Sequence, residues 1–509
     1  MKNHYLSITL LAVLGWHIDV QAQYGTRQLP RLVVNITIDQ LRSDYLESFA
    51  AEYGANGFKK LLSQGLVYEN ASYPFIRPDK ASAISTLVTG TSPFYHSIIG
   101  EQWLDRNSLR PISCTDDPQQ PNIPSPSQLA VSSIGDELKV ATKGIAKLFS
   151  ISPFKEMAIL SAGHAADGAV WMDESSGQWK SSQYYSNETP LWVLKYNDLN
   201  SLNQKTSKAN WQPLIIKDKS DFNHHFRSNK RYKEYQTSGL INSDITELAL
   251  ACVSHQNMGT DDVTDLLCLT YYAGPFDHRP VTECQQELED TYIRLDKELG
   301  SLIAHLESMI GKESVLFVIT STGYSDPESK DYSPYHIPTG VFYINRASNL
   351  LNMYLGALWG QGQYVEACYD NQLFLNHKLL ESKRISLTDA SQCAQEFIVQ
   401  MAGVSNVYTR QQLLNNDTSQ LSKVRNSFHA QRSGDIIIEV IPGWHLQNED
   451  TNDDILSQVS APIFPIILYG GGIYPDRVKQ PVTTDRIAPT IAKTIHIRAP
   501  NACTSDPLF

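Results

Sequence analysis

The sequence lacks the short motifs by which many enzyme classes are recognised. It contains no CxxC pair, no HExxH, no GxSxG, no Walker loop and no GxGxxG. These absences argue against a zinc ribbon, the HExxH metalloproteases, the α/β serine hydrolases, the P-loop nucleotide hydrolases and the dinucleotide-binding enzymes. Any catalytic chemistry must therefore come from residues that are distant in the sequence.

Basic residues are outnumbered by acidic ones. The 509 residues include 42 Lys and Arg against 54 Asp and Glu, which gives a net charge of −12 at pH 7, and no basic block occurs. Such a chain is a poor candidate for nucleic-acid binding. Hydrophobic residues make up 41% of the chain, which excludes a disordered protein and is enough for a sizeable core.

Long apolar runs are also missing, so we expect no transmembrane segment. The N-terminus has the features of a secretory signal: Lys2, a short apolar run at residues 6–14, and small residues in Val20-Gln21-Ala22. We predict a signal peptide at residues 1–22 and cleavage before Gln23. The mature chain is then expected to be soluble and periplasmic, or otherwise exported.

Cysteines are few and widely separated. The seven are Cys114, Cys252, Cys268, Cys284, Cys368, Cys393 and Cys503. An oxidising compartment would allow up to three disulfides with one thiol left over, in a pairing that the sequence does not give. Buried, unpaired thiols are the alternative.

Apolar runs alternate with helical patterns along the chain. The runs at 32–38, 266–270, 315–320 and 465–469 are typical of parallel strands buried on both faces. One amphipathic helix has an apolar stripe made of Leu288, Tyr292, Leu295, Leu299, Leu302, Leu306 and Met309. Gly311 ends this helix and a strand follows from Val315, which is half of a βαβ unit.

The predicted fold is therefore α/β, with a mostly parallel sheet flanked by helices. The segments at about 105–265 and 330–445 are less regular, and we predict that they are insertions over the C-terminal edge of the sheet. We expect residues 23–509 to form a single domain that carries both insertions.

Two residues stand where a ligand site would form. Asp39 directly follows the first strand, and His278 lies in a loop after another strand. Both are expected at the C-terminal edge of the sheet, where α/β proteins bind ligands. A polar strand cap is the alternative for Asp39, and a hydrogen-bonded structural role is the alternative for His278. These residues alone do not name a reaction.

Several longer segments point to a known superfamily. They are residues 38–45, 57–62, 89–93, 96–100, 162–164, 289–296, 375–379, 432–435 and 485–491. With them the chain resembles the alkaline phosphatase superfamily, in particular the monomeric phosphate-irrepressible bacterial alkaline phosphatases and the related type I phosphodiesterase/nucleotide pyrophosphatases. The resemblance spans nearly the whole mature chain. It implies the superfamily's sheet and a site with two zinc ions and a threonine or serine nucleophile.

Carried over residue by residue, this site is incomplete. The metal positions keep Asp39 and His278, and the other four hold Gly274, Thr322, Gly323 and Ile463. The nucleophile position holds Lys80, and the phosphate-contact positions hold Glu101, Phe154 and Glu156. Catalytic zinc normally has three protein ligands, so we expect no bound zinc. Two alternatives stay open: a small shift in register could restore Asp277 as a ligand, and the hydroxyl of Ser82, Ser85 or Thr86 could act as the nucleophile.

The resemblance therefore implies a chain that keeps the superfamily's fold but lacks the residues needed for phosphate-ester hydrolysis. We predict a pseudophosphatase that acts as a binding, scaffold or regulatory protein toward an unidentified protein or envelope partner. The alternative is an active metal-dependent phosphomonoesterase or phosphodiesterase with a rearranged site. With no metal present, we expect the Lys80 ammonium within about 4 Å of a carboxylate of Asp39, Glu101 or Glu156.

Overall fold

The computed structural model describes residues 29–216, 222–324, 338–415, 418, 421–457 and 462–509. The predicted signal peptide at residues 1–22 lies outside this range and stays a prediction. The strands are β1 Leu32–Asp39, β2 Leu66–Ser72, β3 Gln102–Asp105, β4 Arg110–Ser113, β5 Leu148–Ser152, β6 Gly168–Met172, β7 Trp179–Ser181, β8 Asn210–Trp211, β9 His224–His225, β10 Asp265–Tyr272, β11 Val315–Ser321, β12 Val341–Tyr343, β13 Val365–Tyr369, β14 Gln372–Leu375, β15 Val404–Thr409, β16 Ile436–Val440, β17 His445–Asn448, β18 Asp453–Leu456, β19 Phe464–Gly470, β20 Asp476–Val478 and β21 Val482–Thr483.

The helices flank these strands. They are α1 Ser43–Ser48, α2 Phe58–Gln64, α3 Lys80–Thr89, α4 Pro93–His96, α5 Ile134–Ala141, α6 Lys155–Ala162, α7 Leu191–Leu199, α8 Leu202–Lys208, α9 Arg231–Gln236, α10 Ile241–Gln256, α11 Gln285–Ile310, α12 Ile344–Trp359, α13 His377–Ser382, α14 Leu387–Ile398, α15 Arg410–Asn415, α16 Ser422–Ser427 and α17 Ile487–Thr494.

A large mixed sheet organises the fold, as the sequence predicts. Its order is β20-β2-β19-β11-β1-β10-β5-β6-β7, with β21 beside β2. The central strands β11, β1, β10, β5 and β6 run parallel to one another. Every residue of β1, β10 and β11 is buried, as expected for strands covered on both faces. In register, Asp39 lies opposite Tyr272, and Ile38 lies opposite Ser321, so these strand ends meet at one edge.

The long helix α11 confirms most of the predicted stripe. Leu288, Tyr292, Leu295, Leu299, Leu302 and Leu306 are buried, and α11 packs against α10. Met309 is the exception, because at 54% exposure it lies outside the core. It is in the last turn, just before the helix ends at Gly311 with a positive φ of 101°. A periodic pattern does not reveal where a helix leaves the surface on which it packs.

Two predictions about the sheet need correction. The run at 465–469 forms β19, but β19 is antiparallel to both β11 and β2. Its continuous burial resembles that of a parallel strand because it too is covered on both faces. The segment 105–265 is not wholly an insertion, since it contributes β5, β6 and β7 to the central sheet. These strands are short, so their apolar runs are weak signals.

A second hydrophobic core lies in the C-terminal half. It includes Ile344, Leu351, Leu373, Ala394 and Ile438. It is built on a four-stranded sheet, β13-β14-β16-β15, and on the small sheet β12-β17-β18. We call residues 338–457, as far as they are described, the second unit. The assignment of the chain as one domain with insertions stays a prediction.

The seven cysteines are all within the described residues, and all are free. Cys114, Cys252, Cys268 and Cys284 are buried, which agrees with the alternative of unpaired thiols. Across the described ranges, no helix has the length and apolar character needed to cross a bilayer.

Candidate functional site: a lysine–carboxylate cluster at the sheet edge

Asp39 ends β1 in a fully enclosed position. It is 1% exposed, and the Thr322 hydroxyl donates a hydrogen bond of 2.8 Å to its Oδ1. The same hydroxyl accepts from the Gln40 amide at 3.0 Å. Among the described residues, Oδ2 has no hydrogen-bond partner. Burial raises the pKa of Asp39, while the Lys80 ammonium and the Thr322 hydrogen bond oppose that rise.

Lys80 is the first residue of α3. Asp79 caps this helix, because its carboxylate accepts from the Ser82 amide at 2.8 Å. The cap fixes where the helix begins, and Lys80 is therefore held in its first turn. Lys80 Nζ lies 3.8 Å from Glu101 Oε1 and 4.1 Å from the centroid of the Phe154 ring. The first distance is within the expected limit for an ion pair.

The negative charges of nearby carboxylates keep Lys80 protonated. Burial acts to lower its pKa, but the carboxylates of Asp39, Glu101 and Glu156 outweigh burial, and the pKa is raised above its ordinary value. An ammonium at this place is an electrostatic partner for the acids around it. It is neither a nucleophile nor a base at neutral pH, because a neutral amine is needed for either role.

The three phosphate-contact positions present no cation to a phosphate. Glu101 pairs with Lys80, and burial together with nearby acids raises its pKa to about 7, although Lys80 lowers it. Phe154 covers the Lys80 ammonium and meets the Tyr272 ring edge-to-face at 6.0 Å. Glu156 pairs with its neighbour Lys155 at 3.2 Å. Two acids and an aromatic ring disfavour a phosphate dianion here.

His278 belongs to a short 3₁₀ turn, Phe276–His278, after β10. Its φ of 54° and that of Asp277, 51°, are both in the left-handed region. Desolvation by the surrounding protein and the charge of the Lys80 ammonium lower the pKa of the His278 imidazole. This turn follows β10, and Asp39 at the end of β1 lies opposite Tyr272 of β10, so Asp39 and His278 belong to the same edge of the sheet.

The four other positions at which the resemblance implies a metal ligand are occupied in different ways. At one of them, the Thr322 hydroxyl donates a hydrogen bond to Asp39. At Gly274, an added Cβ would lie 2.7 Å from Tyr272 Oη, so the tyrosine ring blocks an aspartate there. Gly323 has a φ of 83°, which is strained for any other residue. Ile463 is 46% exposed just before β19.

The donor set does not fit a pair of zinc ions. Among the described residues, no group of three or more His, Cys, Asp or Glu side chains could hold a metal ion. Zinc at a catalytic site needs about three protein ligands. The Lys80 ammonium would also be repelled strongly by two divalent cations in a poorly solvated site.

The alternative nucleophiles are not accessible. Ser82, Ser85 and Thr86 are each at most 1% exposed. The Ser82 hydroxyl donates to Asp79 at 2.6 Å, and the Thr86 hydroxyl is 3.0 Å from Nε2 of the buried His96. None of these hydroxyls is open to solvent.

Sequence reasoning missed two side chains that shape the site. Thr322 was identified as a lost ligand, not as the hydrogen-bond donor to Asp39. Tyr272 was not singled out, although its hydroxyl donates to Pro275 O at 2.7 Å and its ring occupies the space beside Gly274. Their alignment opposite β1 depends on strand register, which no local pattern reveals.

The chain is similar to known proteins over most of its length. The family model "Type I phosphodiesterase / nucleotide pyrophosphatase" matches residues 33–462. The chain is similar to alkaline phosphatase PafA of Elizabethkingia meningoseptica, with 27% identity over 94% of each chain. It is also similar to alkaline phosphatase PhoV of Synechococcus elongatus, with 28% identity over 93% of this chain and 91% of PhoV.

The crystal structure of wild-type PafA superimposes with a TM-score of 0.81 at 24% identity, covering 94% of this chain and 98% of that one. This agreement confirms the predicted fold. The match of the family model over most of the sequence confirms the superfamily. The chain belongs to the type I phosphodiesterase / nucleotide pyrophosphatase family, within the alkaline phosphatase superfamily.

Proposed function

We propose that this protein has lost metal-dependent phosphate-ester hydrolysis and works as a binding, scaffold or regulatory protein. The observation that carries the proposal is Lys80. Its ammonium stands at the nucleophile position, 3.8 Å from Glu101 and against the Phe154 ring, and it balances the buried Asp39. Where the family resemblance implies two cations and a hydroxyl, this site has one internal cation held by acids.

The steric arrangement supports the same conclusion. Tyr272 occupies the space that an aspartate at Gly274 would need, and Thr322 already donates to Asp39. Restoring one ligand would therefore displace a contact that the folded chain uses. For this reason we infer that phosphate-ester hydrolysis is lost, and not merely slower than in an active enzyme.

A second function, hydrolysis of phosphomonoesters or phosphodiesters by a rearranged metal site, is favoured by two facts. The matched relatives PafA and PhoV are named alkaline phosphatases, and Asp39 Oδ2 has no hydrogen-bond partner in the part of the chain that the structure describes. Against it stand the burial of Ser82, Ser85 and Thr86 and the raised pKa of Lys80.

Two measurements on the purified full chain decide between these functions. Elemental analysis gives the zinc content, and p-nitrophenyl phosphate and bis(p-nitrophenyl) phosphate report the two hydrolase activities, with PafA as the positive control. We expect less than stoichiometric zinc and turnover equal to buffer. Two zinc ions per chain, with turnover abolished by Asp39→Ala, would establish the rearranged enzyme instead.

Export belongs to the same proposal. The features at residues 1–22 support cleavage before Gln23 and release into the periplasm or the medium. The mass of the mature protein, recovered from periplasmic and cytoplasmic fractions, tests this. A full-length mass confined to the cytoplasm would contradict it.

A further inference from the structure

The second unit has a hydrophobic core of its own. This core and the core around the central sheet are separate clusters of buried residues. At the boundary lies a small apolar cluster, in which Ile76 and Phe94 pack against Val424, Phe428 and Ile437 of the second unit. Units that have separate cores and share no large hydrophobic interface are expected to move relative to each other.

Polar contacts across this boundary hold the segment that leads into α3. The Ser427 hydroxyl accepts from the Ile76 amide at 3.0 Å and lies 3.1 Å from the Ile76 carbonyl oxygen. Next along the chain, Arg77 is bidentate on Asp370, at 2.8 and 3.3 Å. Ser427 and Asp370 both belong to the second unit. The second unit is therefore attached just before the helix that begins with Lys80.

Arg77 has an unfavourable backbone conformation. Its φ of 52° lies in the left-handed region, which is uncommon for a residue with a Cβ, and the following Pro78 favours an extended conformation instead. Such a backbone persists only where its surroundings fix it. Here the Asp370 ion pair and the neighbouring Ser427 contact do so. If these contacts were released, the segment would relax and the start of α3 would move with it.

The segment that carries Glu101 is also tied to the second unit. Arg432 of the second unit donates to the Ser97 carbonyl at 2.7 Å. Asp79 connects the two segments, because its carboxylate caps α3 and accepts from the Glu101 amide at 2.5 Å. The 3.8 Å distance between Lys80 Nζ and Glu101 Oε1 therefore depends on the position of the second unit.

We propose that the second unit is a movable clamp on the Lys80–Glu101 pair. In its docked position it holds both segments and keeps the pair closed. When it undocks, both segments are released and the pair opens to solvent. Because coupling is reciprocal, a change that opens the pair also weakens docking. The inference rests on the proposed function only in giving this coupling a regulatory role, since the contacts themselves involve no catalytic step.

Hydrogen–deuterium exchange on the full chain, followed by mass spectrometry, measures this coupling. The double variant Asp370→Ala/Ser427→Ala removes two contacts at the boundary. It should speed amide exchange at residues 79–86 and 100–104 about tenfold, as expected for the loss of two polar contacts, and leave exchange in β1 and β10 as in the wild type. Lys80→Met, on the other side of the coupling, should speed exchange at residues 424–433.

The matched control is Arg346→Ala/Glu449→Ala, which removes an ion pair inside the second unit, with contacts of 2.5 and 2.8 Å. It should leave exchange at residues 79–86 and 100–104 unchanged. An equally large effect of this control would overturn the inference, because the boundary contacts would then have no special role.

Three further results would also overturn it. They are unchanged exchange near Lys80 and Glu101 in the boundary variant, an equal increase in β1 and β10, which would indicate a loss of stability of the whole chain, and unchanged exchange at residues 424–433 in Lys80→Met. Zinc content and phosphatase turnover are measured on the same wild-type preparation. An active hydrolase with the expected exchange pattern would refute the proposed function and leave the clamp standing.

Discussion

Replacing Lys80 tests whether its charge holds the site together. In Lys80→Thr, the residue type of a family nucleophile is restored, but the ammonium is lost. Two contacts disappear: the pairing with Glu101 at 3.8 Å and the contact with the Phe154 ring at 4.1 Å. The buried Asp39 also loses its nearest opposing charge. We expect a less stable protein with no phosphatase turnover.

The magnitude can be worked out from these contacts. The cation–π contact of a partly desolvated ammonium contributes about 1 kcal/mol. The pairing with Glu101 contributes less than about 1 kcal/mol, because that carboxylate is half-exposed to solvent. The remaining cost comes from Asp39, and it is limited because a buried carboxyl can take up a proton instead of staying charged. We expect a loss of about 2 kcal/mol in the free energy of unfolding at pH 8.

Lys80→Met is the matched variant, because it keeps an unbranched apolar side chain and removes only the charge. Urea denaturation at pH 8 and pH 5.5 measures all three proteins. The pKa of Glu101 is raised to about 7, so at pH 5.5 this carboxyl is largely protonated and needs no counter-ion. The destabilisation of both variants should therefore shrink at the lower pH.

Three results would refute this reasoning. If Lys80→Met were as stable as the wild type at pH 8, the ammonium would have no electrostatic role. If the loss were larger at pH 5.5, the sign of the coupling to Glu101 would be wrong. Phosphatase turnover in Lys80→Thr would show that the site lacks only its nucleophile.

The other predictions concern neighbouring groups. Glu101→Gln should stabilise the protein by about 1 kcal/mol at pH 8 and leave its stability unchanged near pH 5. The reason is that the raised pKa of Glu101 makes the wild-type folded state lose stability as the pH rises toward 7. Melting curves of the variant that match those of the wild type at both pH values would contradict this. Gly274→Asp should destabilise by about 1–3 kcal/mol through collision with Tyr272 and gain no zinc, as urea denaturation and elemental analysis can check. His164, whose Nδ1 is 2.9 Å from Asp136, has its pKa raised chiefly by that hydrogen bond. His164→Ala should therefore cost about 1 kcal/mol more at pH 5.5 than at pH 8.5, and a melting-temperature loss independent of pH would count against the charge.

The sequence predicts the parts of this structure that depend on local pattern. The runs that became β1, β10 and β11 are continuous because both faces are covered, and the stripe of α11 repeats with the helical period. Strand direction is a different kind of property. It is set by how the chain returns to the sheet, so the apolar run of β19 gave no indication that it is antiparallel to its neighbours.

The candidate site could likewise be predicted from the sequence only in part. Comparison of residue types identified Lys80, Glu101 and Phe154 as misfits for a phosphatase, and simple charge balance predicted that the lysine would meet an acid. The contacts made around the remaining metal-ligand positions could not be predicted from the sequence. Tyr272 blocks the space at Gly274, and Thr322 reaches Asp39, because register places these residues opposite or beside the end of β1.

If the metal site is lost, as we propose, the missing ligands and Lys80 form one coupled change. Asp39 sits at the end of a fully buried strand, so without metal ions its carboxylate needs a counter-charge or a proton. Lys80 supplies the charge and Thr322 supplies a hydrogen bond. The Lys80 ammonium would in turn repel metal ions. Each substitution thus favours the others, and a single reversion should lower stability without returning a reaction. Only a variant that restores several ligands and removes Lys80 at the same time would test whether the scaffold can still hydrolyse phosphate esters.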